Sequence, residues 1–203
     1  PMLDLLDDKH QLYVLELSSF QLELLNDTRG AVSTLLNISP DHMDRYTGLQ
    51  QYHAAKHRIF RGAGKVVVNR EDPLTRPLLP SATPMVSFGL NQPDLGSFGL
   101  LQGPVDGYLA LGAERLMPVK DVAIKGTHNL ANALAALALG YSADLPMQAM
   151  LDTLKTYKAL PLPAENTPEF NAPPYIKVSR APNVGPTLAG IKGLGKANQK
   201  NPI

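Results

Sequence analysis

The chain of 203 residues is long enough for one well-filled core or two modest domains, and its 44% hydrophobic and 18% charged residues are those of an ordinary globular protein. A formal net charge of +1 removes the electrostatic case for nucleic acid or an anionic membrane as partner, and the lack of cysteine removes disulfides, thiolate metal sites and a thiol nucleophile. The longest apolar stretch, Leu130 to Leu139, is too short to span a bilayer, and Asp4, Asp7 and Asp8 spoil a signal peptide, so a cytoplasmic location is expected.

In chain order, Gln11–Leu17, Ala31–Asn37 and Lys65–Asn69 are short runs rich in Val and Leu, each ending at polar residues. Such runs predict strands buried on both faces, as in a parallel sheet covered by helices. Ser18–Leu25 and Leu49–Phe60 carry helical spacing, with Leu49, Tyr52, Ala55 and Ile59 on one stripe. Met85–Phe88 predicts a further strand, and Tyr108–Leu111 with Arg115–Val119, joined through Gly112-Ala113, an antiparallel hairpin. The alanine-rich run Asn129–Leu139 is the strongest helix signal, with Thr127 or Asn129 as its N-cap. Pro146–Tyr157 predicts another helix, with proline in its first turn. Alternating strands and helices give an α/β fold: a mostly parallel sheet flanked by helices, a small antiparallel β-hairpin, and a partial second domain.

Composition changes after Leu160. Seven prolines fall between Pro161 and Pro186, no acidic residue follows Glu169, and Tyr175–Val178 is the one plausible strand. The expected division is therefore 1–158 and 159–203. A chain that opens at Pro1 and closes in a Lys/Asn-rich tail reads as a piece of something longer.

Ligands of an open parallel sheet bind outside the carboxyl ends of its strands. Glu16 stands near the end of the first run, Asp41-His42 follow the second, and Lys56 lies on the next helix. Together they can form a metal or phosphate site. Carboxylate oxygen suits Mg²⁺, for which imidazole is a less usual partner. Small neighbours, Ala54 and Ala55, permit packing around the Lys56 stem. Desolvation would lower its pKa, and a neutral amine can take up carbon dioxide to become an anionic carbamate with metal-binding oxygens. Plain alternatives stand beside each: a solvated strand-end carboxylate, a loop histidine bonded to backbone, a solvated lysine.

His53 and His57, four apart on one helix, have the spacing of a zinc pair, but no HExxH glutamate accompanies them and a wet helix face is expected. Asn129 and Asn132 share a helix face from which two amides can read a flat heterocycle such as adenine. Gly190 to Ala197 fits GxxxxGK, but Ala197 stands where Ser or Thr would hold Mg²⁺, so the match is treated as coincidence.

Taken together, LELSSFQLE (15–23), NISPDHMDRY (37–46), LQQYHAAKHRIF (49–60), VVNREDPLT (67–75) and GTHNLANALAALAL (126–139) resemble the central ATP-binding domain of the Mur ligases, from about residue 11 to 160. Within that family the wording is most similar to the branch that adds D-glutamate to UDP-N-acetylmuramoyl-L-alanine. The resemblance implies an enzyme of peptidoglycan precursor synthesis that uses ATP and Mg²⁺. It implies Glu16, His42 and Lys56 as metal ligands, with His42 and a carbamylated Lys56 also catalytic. Asn129 and Asn132 would face adenine, and Ser18 and Gln21 would meet the UDP-muramoyl substrate.

Three departures qualify it. The family's GTNGKS/T phosphate loop, which lies upstream of this region, is missing, as is most of the C-terminal domain. The opening of that domain is altered: Leu162-Pro163-Ala164-Glu165 stands for His-Arg-Phe-Glu, and Lys177-Val178-Ser179-Arg180-Ala181-Pro182-Asn183 for Asn-Asp-Ser-Lys-Ala-Thr-Asn. Of the family's basic positions there, only Arg180 keeps a positive charge, and it is the remaining nucleotide-binding candidate. The expectation is a fragment inactive by itself. Folylpolyglutamate synthetase, a non-catalytic scaffold module and a metal hydrolase on Glu16, Asp41 and His42 are the competing readings.

Overall fold

A computed structural model describes residues 12–39, 44–80 and 82–157. Asp41, His42, Arg180, the 175–178 run and the 190–197 match lie outside these residues, as does everything proposed for 159–203.

Six strands form one sheet in chain order: β1 (Val32–Leu35), β2 (Lys65–Asn69), β3 (Met85–Phe88), β4 (Phe98–Leu101), β5 (Tyr108–Leu111) and β6 (Glu114–Pro118). β1 to β4 run parallel, and β5 and β6 close the sheet as an antiparallel hairpin. The expected fold class is what is found. β2 explains why continuous apolar runs were the right signal: Val66, Val67 and Val68 are all buried, and alternate side chains leave opposite faces of the sheet. Val67 enters the larger core, whereas Val66 and Val68 enter a smaller core with Leu35, Ile38, Tyr46, Tyr52 and Phe60.

Four helices cover the sheet: α1 (Ser19–Glu23), α2 (Leu49–His57), α3 (Thr127–Ser142) and α4 (Met147–Thr156). α3 lies across β1 to β4 and also packs on α4. Its alanines let the helix sit close, while Leu130, Leu134 and Leu137 fill the space beneath it. Each fully buried leucine contributes about 1.5–3 kcal/mol. At the far end of α3, a Cβ on Gly140 would collide with Met150 Sδ, so glycine permits the close approach of α4. Lys65 Nζ, at the start of β2, donates to the Ser142 carbonyl at 2.8 Å. This places the C-terminus of α3 at the amino end of β2, so the helix begins towards the carboxyl ends of the strands.

Several boundaries differ from expectation. Residues 12–17 form no strand: Leu12, Tyr13 and Leu15 are exposed, and no described strand pairs with the segment. An apolar run becomes a strand only where a neighbour accepts its ladder, and sequence carries no record of that neighbour. β4 was not predicted, because Phe98-Gly99-Leu100-Leu101 follows a Gly/Pro-rich stretch that reads as loop. Gly99 is required there: a Cβ would strike the Asn91 carbonyl and the Pro93 ring, which lie over the strand. α3 is capped by Gly126 at φ 101° rather than by Thr127 or Asn129, and Pro146 is the N-cap of α4 rather than part of its first turn. No helix among the described residues is long and apolar enough to cross a membrane.

Candidate functional site

The segment bearing Glu16 runs directly into α1, whose start is fixed by a capping box. Gln21 N–H donates to Ser18 Oγ at 3.2 Å, and Gln21 Oε1 accepts from Ser18 N–H at 2.8 Å and from its hydroxyl at 3.0 Å. Ser18 and Gln21, candidates for substrate contact, therefore also hold the turn that follows Glu16. Glu16 itself is half-buried.

α1 packs against α2, which carries Lys56. Three directional contacts set that packing. The Arg58 guanidinium, in the 3-10 turn after α2 (Arg58–Phe60), donates from Nε to the Leu22 carbonyl at 2.8 Å and from Nη2 to the Leu25 carbonyl. The Leu22 carbonyl also accepts from Leu25 N–H, so Arg58 adds a charged donor to the turn that ends α1 and to the Leu25 carbonyl just beyond it. Tyr46 stacks on Phe20 of α1 (6.2 Å, 8°) and meets Tyr52 of α2 edge-on at 5.3 Å. Arg45 lies 4.8 Å from the centre of the Phe20 ring and pairs with Glu23 at 2.9 Å. The hydrogen bond from Arg45 lowers the Glu23 carboxyl pKa, against the opposing effect of burial.

Tyr52 also supports the candidate lysine, since Lys56 Nζ sits 5.7 Å from its ring centre. Lys56 is half-buried; of its small neighbours Ala55 is buried and Ala54 exposed, so only one of them packs. The loops after β1 and β2 are tied together near the same helix. Asn69 Nδ2 donates to the Leu36 carbonyl at 2.9 Å, and Asp72 Oδ2 accepts from Ile38 N–H at 2.8 Å. Asp72 Oδ1 meanwhile caps the 3-10 turn Pro73–Thr75.

The Leu74 carbonyl of that turn receives the Nε2 atoms of both His53 (2.9 Å) and His57 (2.6 Å). The expected wet histidine face is thus a half-buried contact. Burial, reinforced by the His53 ring and opposed by the Leu74 contact, lowers the His57 pKa.

Asn129 and Asn132 occupy the first turns of α3, on the carboxyl side of the sheet. Asn129 Nδ2 donates to the Lys125 carbonyl at 2.7 Å, bracing the loop before the helix. Asn132 is only 6% exposed, which leaves Asn129 the more accessible of the two amides. The structure thus brings the segments bearing Glu16, Ser18, Gln21 and Lys56 together through α1 and α2. Asn129 stands at the carboxyl end of the sheet, while His42 and Arg180 lie outside the described residues. Two open surface pockets, one by Lys65 and Ser142 and the other by Gln92 and Arg115, contain no candidate residue.

Sequence reasoning missed the roles of Phe20, Arg45, Tyr46, Arg58, Asn69 and Asp72. The one local signal for any of them was Asp72-Pro73, an N-cap followed by proline at the first turn position.

The family model for the Mur ligase middle domain matches residues 2–140. UDP-N-acetylmuramoylalanine--D-glutamate ligase of Pseudomonas savastanoi pv. phaseolicola is 53% identical over 195 residues, covering 96% of this chain and 44% of that protein. The ligase of the same name from Pseudomonas aeruginosa is 52% identical over 195 residues, again 96% of this chain and 44% of its own length. The one from Acinetobacter baylyi is 52% identical over 199 residues, 97% of this chain and 44% of its own. The chain spans less than half the length of these relatives. Matches of 195 residues take in most of the altered segment after residue 158 as well. With a middle-domain match over more than half its residues, the chain belongs to the Mur ligase family.

Proposed function

We propose that the chain is the central part of an ATP-dependent ligase that joins D-glutamate to UDP-N-acetylmuramoyl-L-alanine, in the cytoplasm, during peptidoglycan precursor synthesis. Residues 1–158 would be part of the central ATP-binding domain, and 159–203 the start of a C-terminal ligase domain. The observation that carries the reading is the packing of α1, α2 and the Arg45-Tyr46 corner, which draws the segments bearing Glu16 and Lys56 together. The relatives' names supply the substrates.

In the proposed reaction, the muramoyl peptide carboxylate attacks the γ-phosphorus of ATP. The bond to the β–γ bridging oxygen breaks, and ADP leaves. The D-glutamate amine then attacks the acyl phosphate carbon, loses a proton, and phosphate departs as the amide forms. Positioning and charge compensation do most of the work in such a transfer.

Glu16 offers carboxylate oxygen, the donor that magnesium selects. Lys56 fits the same role only as a carbamate, because an ammonium repels a cation. Its amine nitrogen bonds to the carbon of CO₂ and releases a proton, leaving two oxygens on a side chain steadied by Tyr52. His42 would complete this donor set. Magnesium, when bound there, would offset phosphate charge. Asn129, Asn132 and Arg180 would hold the nucleotide, and Ser18 and Gln21 the muramoyl substrate.

The test is phosphate release with ATP and UDP-N-acetylmuramoyl-L-alanine, with D-glutamate present or omitted. The full-length enzyme is expected to release phosphate only with D-glutamate, and the 203-residue chain alone not at all. Turnover by the chain alone, or by the full-length enzyme with L-glutamate and a folate in place of these substrates, would overturn the proposal.

A further inference from the structure

His53 and His57 have no task in the proposed reaction, yet their geometry is specific. The imidazole rings are stacked, with centres 3.9 Å apart and planes 26° from parallel. Their Nε2 atoms converge on one oxygen, the Leu74 carbonyl, at 2.9 and 2.6 Å. That carbonyl is held still, because Asp72 caps its turn and the same carboxylate is tied to Ile38. Two nitrogen donors and one oxygen donor thus face a common point from two elements far apart in sequence.

We propose that His53, His57 and the Leu74 carbonyl form a binding site for a late first-row divalent transition ion, nickel or copper. Metal–imidazole bonds are ~2.1 Å long, shorter than the present contacts, so both rings turn from the Leu74 carbonyl toward the ion as it binds. Imidazole nitrogen also prefers these ions to magnesium.

No cluster of three or more His, Asp or Glu side chains occurs among the described residues, so water fills the other positions and the site is of modest affinity. Without an ion, each Nε2 carries the proton it donates to Leu74. Binding moves that proton to Nδ1 and turns the Nε2 lone pair to the ion. The ion would pin α2, the helix of Lys56, to the turn after β2.

The experiment is titration of the complete chain with nickel chloride in a calorimeter at neutral pH, repeated with excess magnesium, and with copper(II) followed by electron paramagnetic resonance. One ion per chain is expected, unaffected by magnesium, with coupling from two nitrogens in the copper spectrum. His53→Gln and His57→Gln put an amide nitrogen where each Nε2 lies and keep a donor for the Leu74 carbonyl, so the fold is retained while chelation is lost. Each is expected to weaken nickel binding about tenfold or more, and the double variant to remove it, with unchanged ion-free melting. Absence of saturable binding below ~1 mM in the parent chain would overturn the site. So would full affinity in the double variant, which would assign the ion to His10, His42 or His128, or displacement by magnesium, which would assign it to a hard-cation site.

Discussion

The two faces of the sheet are held by different physics. Under α3 the contacts are apolar and non-directional: Leu130, Leu134 and Leu137 among alanines, over Val67, Phe88, Phe98 and Leu100. On the α1–α2 face the core is smaller, and named polar and aromatic contacts fix the geometry: Arg58 on two carbonyls, Arg45 on Glu23, Tyr46 between Phe20 and Tyr52. The first face supplies stability. The second sets where Glu16 and Lys56 stand, and it does so with bonds that each depend on one partner.

The comparison breaks first where burial is deepest. Leu134→Ala, at a fully buried position, should cost about 3–5 kcal/mol in denaturant unfolding, because the alanines around it cannot collapse into the void. A loss under about 1 kcal/mol would mean that α3 is not the main anchor. Lys56→Ala in the full-length enzyme should leave unfolding almost unchanged but lower kcat about 10²–10³-fold. Small carboxylic acids should restore part of the activity by replacing the lost oxygens. Normal activity in that variant would remove Lys56 from the mechanism.

Arg58→Met should cost about 1.5–3 kcal/mol, since the Leu22 carbonyl of α1 and the Leu25 carbonyl after it lose a charged donor. Hydrogen exchange should quicken in α1 and leave α3 protected; equal change in both would erase the distinction between the faces. The smallest effect belongs to the exposed Arg45–Glu23 pair. The folded Glu23 pKa is lowered by Arg45, so the pair's contribution is present above the ordinary value of 4.5 and lost as pH falls through the folded value. Arg45→Gln should therefore lower the melting midpoint slightly at neutral pH and not in strong acid. A difference that persists in acid would place Arg45's role in its stacking on Phe20.

Legibility in the sequence followed the same division. α3 could be read because an alanine-rich apolar run has one helical outcome, and β2 because three consecutive valines need cover on both sides. The hairpin of β5 and β6 announced itself by Gly112, which adopts φ 56° at the turn. β4 was hidden because Gly99 weakens the strand signal, and its reason, a connector lying on the strand, is not local. The candidate residues Glu16, Lys56 and Asn129 were found from motif wording. Their supports were not, because Tyr46 meets Phe20, and Asp72 meets Ile38, across 26 and 34 residues of chain.

By itself the sequence determined most of the elements, the family and the candidates for the chemistry, because periodicity and motif spacing are properties of neighbours along the chain. Only the tertiary structure decided that residues 12–17 join no described strand, that Asn132 is covered while Asn129 is accessible, and that two histidines share the Leu74 carbonyl. Those outcomes depend on which distant groups arrive alongside, and hydrogen-bond partners and burial are fixed by that arrival alone.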